Sequence, residues 1–445
     1  MDSGRLVPTL LLGALVVVAR VSGGSFFAPG AFFALCWLAQ VLLSYVVPDY
    51  PVWSGTIWWI LLSCTVLCLG SMGLGSARSR PTEGPARRST DGLAFQRPVL
   101  TLLISAAGGM AYTVLAQTGK VDLTANNHPN VFLQLLLPCQ FAGPMLGGLM
   151  VASRTLSGWR RLFSLLPLLP AVLLAILFSG RMALIVPCLF WLSAYTVGEL
   201  RLNSGRLPLF RPRRLLAVGI VAAVFFASAV LLGALRSTET MFGTLEEKII
   251  AYPSIFQGDT LDQRSKGLRP ALFGNVYSFS YFFRDAWDSP PPLRYGQVIF
   301  AAPLDLLNIG GQRYPYESFE IEPGEFSNIY TMFRPPVDDF GLIGSLIWWL
   351  GIGAVQGWAY RRVAHGGKTH TILLIWFYID TSIVGGYFFR YNSLILSYVL
   401  AWLYVRSCAG SPKRRPVLNG IAASPARFGG LTKAGPGRDG CRASL

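Results

Sequence analysis

Apolar residues in this chain occur in long continuous runs separated by short polar connections. The longer runs reach the roughly 17–25 residues that a helix needs to cross the hydrocarbon core of a bilayer. We count about eleven such runs, and therefore predict an all-α polytopic membrane protein. The predicted spans lie near Leu6–Val21, Ser25–Val46, Val52–Met72, Pro98–Gln117, Val131–Val151, Leu162–Phe178, Met182–Val197, Leu215–Leu235, Phe340–Tyr360, Thr371–Gly386 and Ser393–Val405.

The connection between the eighth and ninth spans, residues 236–339, departs from this pattern. Helical character is predicted at Thr238–Ile255, and the aromatic-rich stretch Phe273–Trp287 predicts a helix lying at the membrane interface. The proline run at 290–292 ends that helix, because proline cannot continue it. The stretch Gly310–Phe326, rich in Gly, Pro, Tyr and Glu, is predicted to be irregular.

The chain accordingly divides into four parts. Residues 1–235 hold the N-terminal transmembrane helices with short loops, and residues 236–339 form one large hydrophilic loop. Residues 340–406 hold the C-terminal transmembrane helices. Residues 407–445, which are rich in Gly, Pro and Arg, are predicted to form a disordered basic tail.

Composition supports a membrane protein rather than a soluble one. Hydrophobic residues make up 52% of the chain and charged residues 13%, and the mean hydropathy is +0.47. A soluble domain carries about a quarter charged residues. The low charged fraction therefore excludes an ordinary soluble enzyme or binding module.

The net charge of +16 is unevenly distributed. The large loop has nine Lys/Arg and fourteen Asp/Glu, a net charge of −5, whereas the rest of the chain has twenty-nine and eight, a net charge of +21. Short connections rich in Lys and Arg are typical of the cytoplasmic side, so the large loop is predicted to face outward. The basic charge then contacts anionic membrane lipid rather than nucleic acid. The basic segments are Arg78–Arg97, Arg154–Arg161, Arg201–Arg214, Arg361–Lys368 and the tail after Arg406.

The sequence offers no metal or cofactor motif. Cys64 and Cys68 are one helical turn apart, but they lie within an apolar run without His or carboxylate neighbours and are interpreted as packing residues. The three histidines, His128, His365 and His370, lack the spacing of a zinc site. No glycine-rich phosphate-binding loop ending in Lys-Ser/Thr is present. We therefore predict neither a bound metal nor a cofactor.

Five arginines fall at positions that are predicted to face outward, namely Arg181, Arg236, Arg284, Arg334 and Arg390. A guanidinium group binds phosphate oxygens bidentately and stays charged, so several of them around one cavity would suit a diphosphate. The alternative is that each side chain simply reaches the lipid headgroups. Outward-facing connections usually lack cationic enrichment, which favours a functional role for Arg181 and Arg390.

A second group of polar residues lies where the large loop enters the ninth span. Asp338 and Asp339 are placed either to stabilise a helix N-terminus or to act on a sugar hydroxyl as a general base. Asn328 and Tyr330 precede them by about ten residues. Asp380 lies inside an apolar span, where it either makes a hydrogen bond between packed helices or takes part in a proton relay.

These features together resemble the Wzy-type polymerases of oligosaccharide repeat units, which act in bacterial O-antigen, capsule and exopolysaccharide pathways. The chain length, the many spans and the single large late loop match that family. A Ser-Gly-Arg181 turn opens the apolar run Met-Ala-Leu-Ile. The large loop ends in Asn328-Ile-Tyr-Thr-Met-Phe-Arg334, followed by Asp339-Phe-Gly-Leu-Ile-Gly344.

The resemblance implies a polytopic glycosyltransferase at the periplasmic face of the bacterial inner membrane. Its substrates would be oligosaccharides linked to undecaprenyl diphosphate. The growing chain would be moved as a block from its lipid carrier onto an incoming repeat unit. The pathway also implies a flippase and a chain-length regulator, the polysaccharide co-polymerase, as partners.

The same resemblance suggests residue roles. Arg181, Arg334 and Arg390 would bind the diphosphate and stabilise it as the leaving group. Asp339, with Asp338 as its substitute, would orient or deprotonate the acceptor hydroxyl.

Four further residues would serve substrate binding. Arg236 and Arg284 would hold either the second lipid-linked partner or the large loop over the site, and Asn328 and Tyr330 would contact sugar. The energy for transfer already resides in the sugar–diphosphate bond, so this chemistry requires no nucleotide.

Two other functions are compatible with this architecture. A ligase that transfers finished polysaccharide to a lipid A core shares it, but such ligases usually rely on a histidine in the outer loop, and residues 236–339 contain none. A flippase for lipid-linked sugars would favour charged residues in mid-span and internal repeats. In this chain the charges gather at one face and no repeat is found.

Overall fold

The computed structural model of the protein describes most of the chain up to residue 409. The described residues are 3–45, 52–76, 93, 95, 97–117, 131–178, 181–205, 207, 269–307, 319–322, 325–327, 331–383 and 392–409. The predicted span Leu215–Leu235 and the predicted helix Thr238–Ile255 lie outside them, as does the predicted tail beyond Ala409.

The described residues are almost entirely helical. A 3-10 helix at Gly158–Leu168 leads directly into α6. The α-helices are α1 (Ser3–Gly23), α2 (Pro29–Ser44), α3 (Ser54–Ser76), α4 (Pro98–Gln117), α5 (Val131–Ala152), α6 (Leu169–Phe178), α7 (Arg181–Leu202), α8 (Arg269–Asp288), α9 (Ala301–Leu306), α10 (Arg334–Ala364), α11 (His370–Ile383) and α12 (Asn392–Ala409).

Within the described ranges, five helical segments are long and apolar enough to cross a membrane. They are α1, α3, α4, α10 and the segment Gly158–Ala175, which joins the 3-10 helix to α6. Shorter apolar helices lie at Pro29–Ser44, Leu136–Ala152 and Ser393–Cys408. The prediction of a helical membrane protein is thus confirmed, whereas the count of about eleven spans remains a prediction.

Two predictions about local structure need correction. The run Leu162–Phe178 is not one α-helix, because its first half is 3-10 helix. Pro167 and Pro170 supply no backbone N–H for the α-helical ladder at this point. The stretch Gly310–Phe326 is not wholly irregular, since β1 (Phe319–Glu322) pairs antiparallel with β2 (Glu325–Ser327).

A close helix crossing joins α3 to α10 through glycines. A Cβ atom at Gly353 would collide with the carbonyl oxygen of Leu67, and one at Gly357 would collide with that of Ser71. Glycines four residues apart let two helix backbones approach closely, which is a common packing mode inside membranes. The Arg361 Nη2 donates to the same Ser71 carbonyl at 2.6 Å. This crossing fixes the position of α10, on which the candidate site is built.

An aromatic cluster joins the start of α10 to α2 and α8. Phe333 is fully buried, and its ring centroid lies 4.4 Å from Trp37, 5.7 Å from Phe279 and 5.3 Å from Trp349. Phe33 packs edge-on against it at 6.0 Å. The end of the large loop is therefore held in the core of the helical bundle.

Candidate functional site

Helix α10 begins at Arg334 because the residues before it provide hydrogen-bond acceptors. The Thr331 hydroxyl accepts from the Phe333 N–H at 3.3 Å, and the Thr331 carbonyl accepts from the Arg334 N–H at 3.1 Å. Pro335 and Pro336 follow at the first helical positions, where a missing N–H carries no cost. The two prolines, which a helix interior would not tolerate, therefore start this helix.

Gly341 interrupts α10 one turn further on. Its dihedral angles of φ 68° and ψ −173° are non-helical and belong to a region that is essentially restricted to glycine. The break separates a short segment, 334–340, from the long apolar part of the helix. Asp338 and Asp339 consequently sit on a turn at the mouth of the apolar helix, not within its regular part.

The carboxylate of Asp339 is fully buried and bound by backbone amides. Its two oxygens accept hydrogen bonds from the N–H of Val298 at 3.0 Å and of Ile299 at 2.7 Å. Main-chain bonds continue this contact, from Arg294 N–H to the Asp338 carbonyl at 3.2 Å and from Tyr295 N–H to the Asp339 carbonyl at 2.9 Å. Segment 294–299 is thus fastened to the start of α10.

Asp338 faces a cation instead. Its Oδ2 accepts from the Arg334 Nε at 3.3 Å, with the side chains 6% and 19% exposed respectively. The guanidinium of Arg334 also lies 4.4 Å from the centroid of the Phe282 ring, a cation–π contact. The Arg294 side chain acts electrostatically on both carboxylates. Two arginines and two aspartates therefore meet at one place.

Helix α8 carries Phe282, against which the Arg334 guanidinium packs. The buried residues of α8, Val276, Phe279 and Phe283, recur at helical spacing. They form the face of α8 that packs against α2 and α3. The Ser280 hydroxyl accepts from the Trp53 N–H at 2.7 Å. The predicted interfacial helix Phe273–Trp287 is thus confirmed as a helix, although most of its phenylalanines are packing residues.

The other predicted site residues are only partly covered by the structure. Arg284 is exposed on α8, two residues from Phe282. Arg181 begins α7, and its side chain lies outside the described part of the chain. Arg236, Arg390, Asn328 and Tyr330 also lie outside the described residues. Their predicted roles remain predictions.

A small cavity of about 50 Å³ lies beside the start of α10. Pro335 and Pro336 line one side of it, and Trp348, Trp376 and Asp380 line another. The Trp376 Nε1 donates to the Asp380 Oδ2 at 2.8 Å, and Asp380 is 8% exposed. A cavity of this size accommodates a few water molecules. The acid that the sequence places inside a span therefore borders the candidate site.

Sequence reasoning missed Arg294 and the segment that follows it. The one local signal was Tyr295-Gly296, where both residues have positive φ, 50° and 91°. A tyrosine followed by glycine marks a turn only weakly, and nothing in the sequence links this turn to Asp339, some forty residues later. The sequence likewise places Phe333 in the motif at the end of the large loop but does not reveal its role in the core.

Comparison with protein-family models, curated proteins and solved structures finds no match to this chain. Among the described residues, no three His, Cys, Asp or Glu side chains are grouped so as to hold a metal ion. The site therefore has to be interpreted from its own geometry.

Proposed function

We propose that this protein polymerises oligosaccharide repeat units linked to undecaprenyl diphosphate, at the periplasmic face of the bacterial inner membrane. The observation that carries the proposal is the Arg334–Asp338 pair, held against Phe282 at the mouth of a membrane-spanning helix. Charged side chains held at such a place are costly unless they act on a polar substrate.

The reaction is a glycosyl transfer between two lipid-linked sugars. The acceptor hydroxyl oxygen attacks the anomeric carbon of the growing chain, and the bond from that carbon to the diphosphate oxygen breaks. The hydroxyl proton passes to a base, and undecaprenyl diphosphate departs with the bonding electron pair. Negative charge grows on the diphosphate during this step, and fixed cations stabilise it best where water is scarce.

Arg334 is the best-supported cation for the diphosphate. Its side chain is only 19% exposed, and the Phe282 ring restricts the position of the guanidinium, so little reorganisation is needed when an anion arrives. Arg294 supplies a second positive charge at the same place. Arg181 and Arg390 are proposed to complete the diphosphate site.

The geometry favours different roles for the two carboxylates. Both oxygens of Asp339 hold backbone amides, so Asp339 positions the segment 294–299. Asp338 is paired at 3.3 Å with Arg334, the side chain proposed to bind phosphate. Asp338 is therefore the better candidate to accept the proton of the acceptor hydroxyl. Arg236, Arg284, Asn328 and Tyr330 are proposed to bind the sugars and the second lipid-linked substrate.

The decisive experiment uses the purified full-length protein in liposomes with the lipid-linked repeat unit as its sole substrate. A ladder of longer lipid-linked oligomers is expected with the wild type and not with Arg334→Ala. Arg20→Ala is a matched control, because Arg20 also lies over an aromatic ring, that of Phe26 at 4.7 Å. Product that forms only when a lipid A core is added would point to a ligase, and transbilayer movement of substrate without any product would point to a flippase. Either result would overturn the proposal.

A further inference from the structure

A second, apolar groove lies between α10, α11 and α12, and it shares Trp376 with the small cavity beside the candidate site. It has a volume of about 370 Å³ and is lined mainly by aromatic and aliphatic side chains, among them Trp358, Trp376, Tyr398, Val399 and Trp402. Trp358 and Val399 are 39% and 44% exposed, so the groove is open along its apolar side. Its surface is therefore fitted to a hydrocarbon chain.

One end of the groove is polar and basic. Thr369 and His370 line it there, and the His370 ring stands edge-on to Trp358 at 4.4 Å. Burial, and then the charge of Arg362, lower the pKa of His370, so its imidazole is neutral near pH 7. The positive charge at this end therefore comes from the arginines.

Two arginines from different helices each interact with a residue that lines the groove. Arg362, in the last turn of α10, interacts with His370, and the Arg406 guanidinium in the last turn of α12 lies 5.0 Å from the Trp402 ring centroid. The sequence from Arg361 to His370 holds three Lys/Arg and no acidic residue, and α12 also contains no acidic residue. The local field at the groove mouth is thus that of a cluster of cations.

We propose that this groove binds an anionic phospholipid, with one acyl chain along Trp358, Val399 and Trp402 and the headgroup phosphate between Arg362 and Arg406. An apolar groove that ends in paired arginines matches a lipid in both shape and charge, since juxtamembrane cations attract acidic headgroups. The inference goes beyond the proposed function, because it concerns the basic face of the protein and requires no reaction at the Arg334 site.

Native mass spectrometry of the full-length protein in detergent tests this site. The probes are phosphatidylglycerol and phosphatidylcholine with identical acyl chains. We expect the wild type to bind phosphatidylglycerol roughly tenfold more tightly than phosphatidylcholine, because two arginines add to the attraction. Equal affinities for the two lipids would overturn the proposal.

Two pairs of variants separate the chain site from the headgroup site. Val399→Trp fills the groove and should abolish tight binding of phosphatidylglycerol, whereas Leu400→Trp adds the same ring to the neighbouring exposed position and should not. Arg362→Ala with Arg406→Ala should remove the preference for phosphatidylglycerol, whereas Arg20→Ala should keep it. If Val399→Trp binds lipid like Leu400→Trp, no acyl chain occupies the groove and the proposal fails. It also fails if Val399→Trp converts a dimer into a monomer without changing lipid binding, because a second copy then covers the groove.

Discussion

The carboxylate of Asp339 accepts a hydrogen bond of 2.7 Å from the backbone N–H of Ile299, forty residues earlier in the chain. Together with the bond from Val298 at 3.0 Å, it satisfies two buried amides just before α9. A carboxylate bound in this way stabilises the fold around the site. The neighbouring Asp338, which is paired with Arg334, is the carboxylate that we propose to act on substrate.

Asp339→Asn is therefore expected to destabilise the protein. An amide side chain offers one acceptor oxygen and directs an N–H₂ group at a second buried N–H, which costs about 1–3 kcal/mol. Thermal unfolding of the detergent-purified variant would show this as a lower midpoint. Asp285→Asn, which changes an exposed carboxylate on α8, is the control. Equal midpoints for the two variants would contradict the anchoring role.

Asp338→Asn, by contrast, is expected to lower activity without lowering stability. The side chain keeps its shape and an acceptor for Arg334, so the protein should stay folded. The loss of a carboxylate base should lower the rate of polymer formation by roughly 100-fold or more. The measurement is single-turnover chain elongation in liposomes at matched protein level. The opposite result would be normal elongation by Asp338→Asn and none by Asp339→Asn at a temperature where both are folded. In that case Asp339 would be the base and Asp338 would not.

Arg334→Lys separates positive charge from guanidinium geometry. Lysine keeps the charge but loses the planar fork that binds phosphate oxygens in pairs, so the elongation rate should fall roughly 100- to 1,000-fold. Arg334→Ala and Arg181→Ala should both abolish polymer without lowering protein level. Long chains of normal length in both alanine variants would rule out the assigned diphosphate site.

The helical character of the chain and the polar cluster at the start of α10 could be predicted from the sequence, because both depend on local patterns. Apolar runs define α3, α4 and α10, and the dense polar motif before Phe340 marks the end of the large loop. One of the two alternatives for Asp338 and Asp339 was that they stabilise the N-terminus of their own helix, but the Asp339 carboxylate accepts hydrogen bonds from the two amides just before α9. That pairing depends on a contact between residues forty positions apart, which no local spacing reveals.

The corrected elements show why the remaining structure was harder to predict. Phe319-Glu-Ile-Glu322 alternates with the two-residue period of a strand, but four residues are too few to stand out in a loop. The 3-10 helix before α6 follows from two prolines in an apolar run, whose hydropathy alone predicts an ordinary span. Hydropathy measures burial in lipid and does not specify the backbone hydrogen-bond pattern.

Gly341→Ala should disturb the site without touching any charged residue. Alanine disfavours φ 68° with ψ −173°, at a cost of about 1–3 kcal/mol, and its Cβ would lie 3.3 Å from Leu293. The start of α10 should then shift, and both elongation rate and thermal midpoint should fall. Gly351→Ala serves as the control, because a Cβ there meets open space. Full activity of Gly341→Ala would show that the break in α10 is not needed to position Asp338.

The α3–α10 crossing provides a test of the fold itself. A Cβ atom at Gly353 would collide with the Leu67 carbonyl, which belongs to backbone and cannot rotate away. Gly353→Ala must therefore push α10 off α3, and we expect a loss of about 1–3 kcal/mol together with lower yield of folded protein. Gly351→Ala lies on the same helix, gains the same methyl group and should leave the yield unchanged. Size-exclusion profiles and thermal midpoints of the two variants give the comparison. Since α10 carries Arg334 and Asp338, elongation by Gly353→Ala should fall as well. A stable and fully active Gly353→Ala would mean that α3 and α10 are not packed as closely as described.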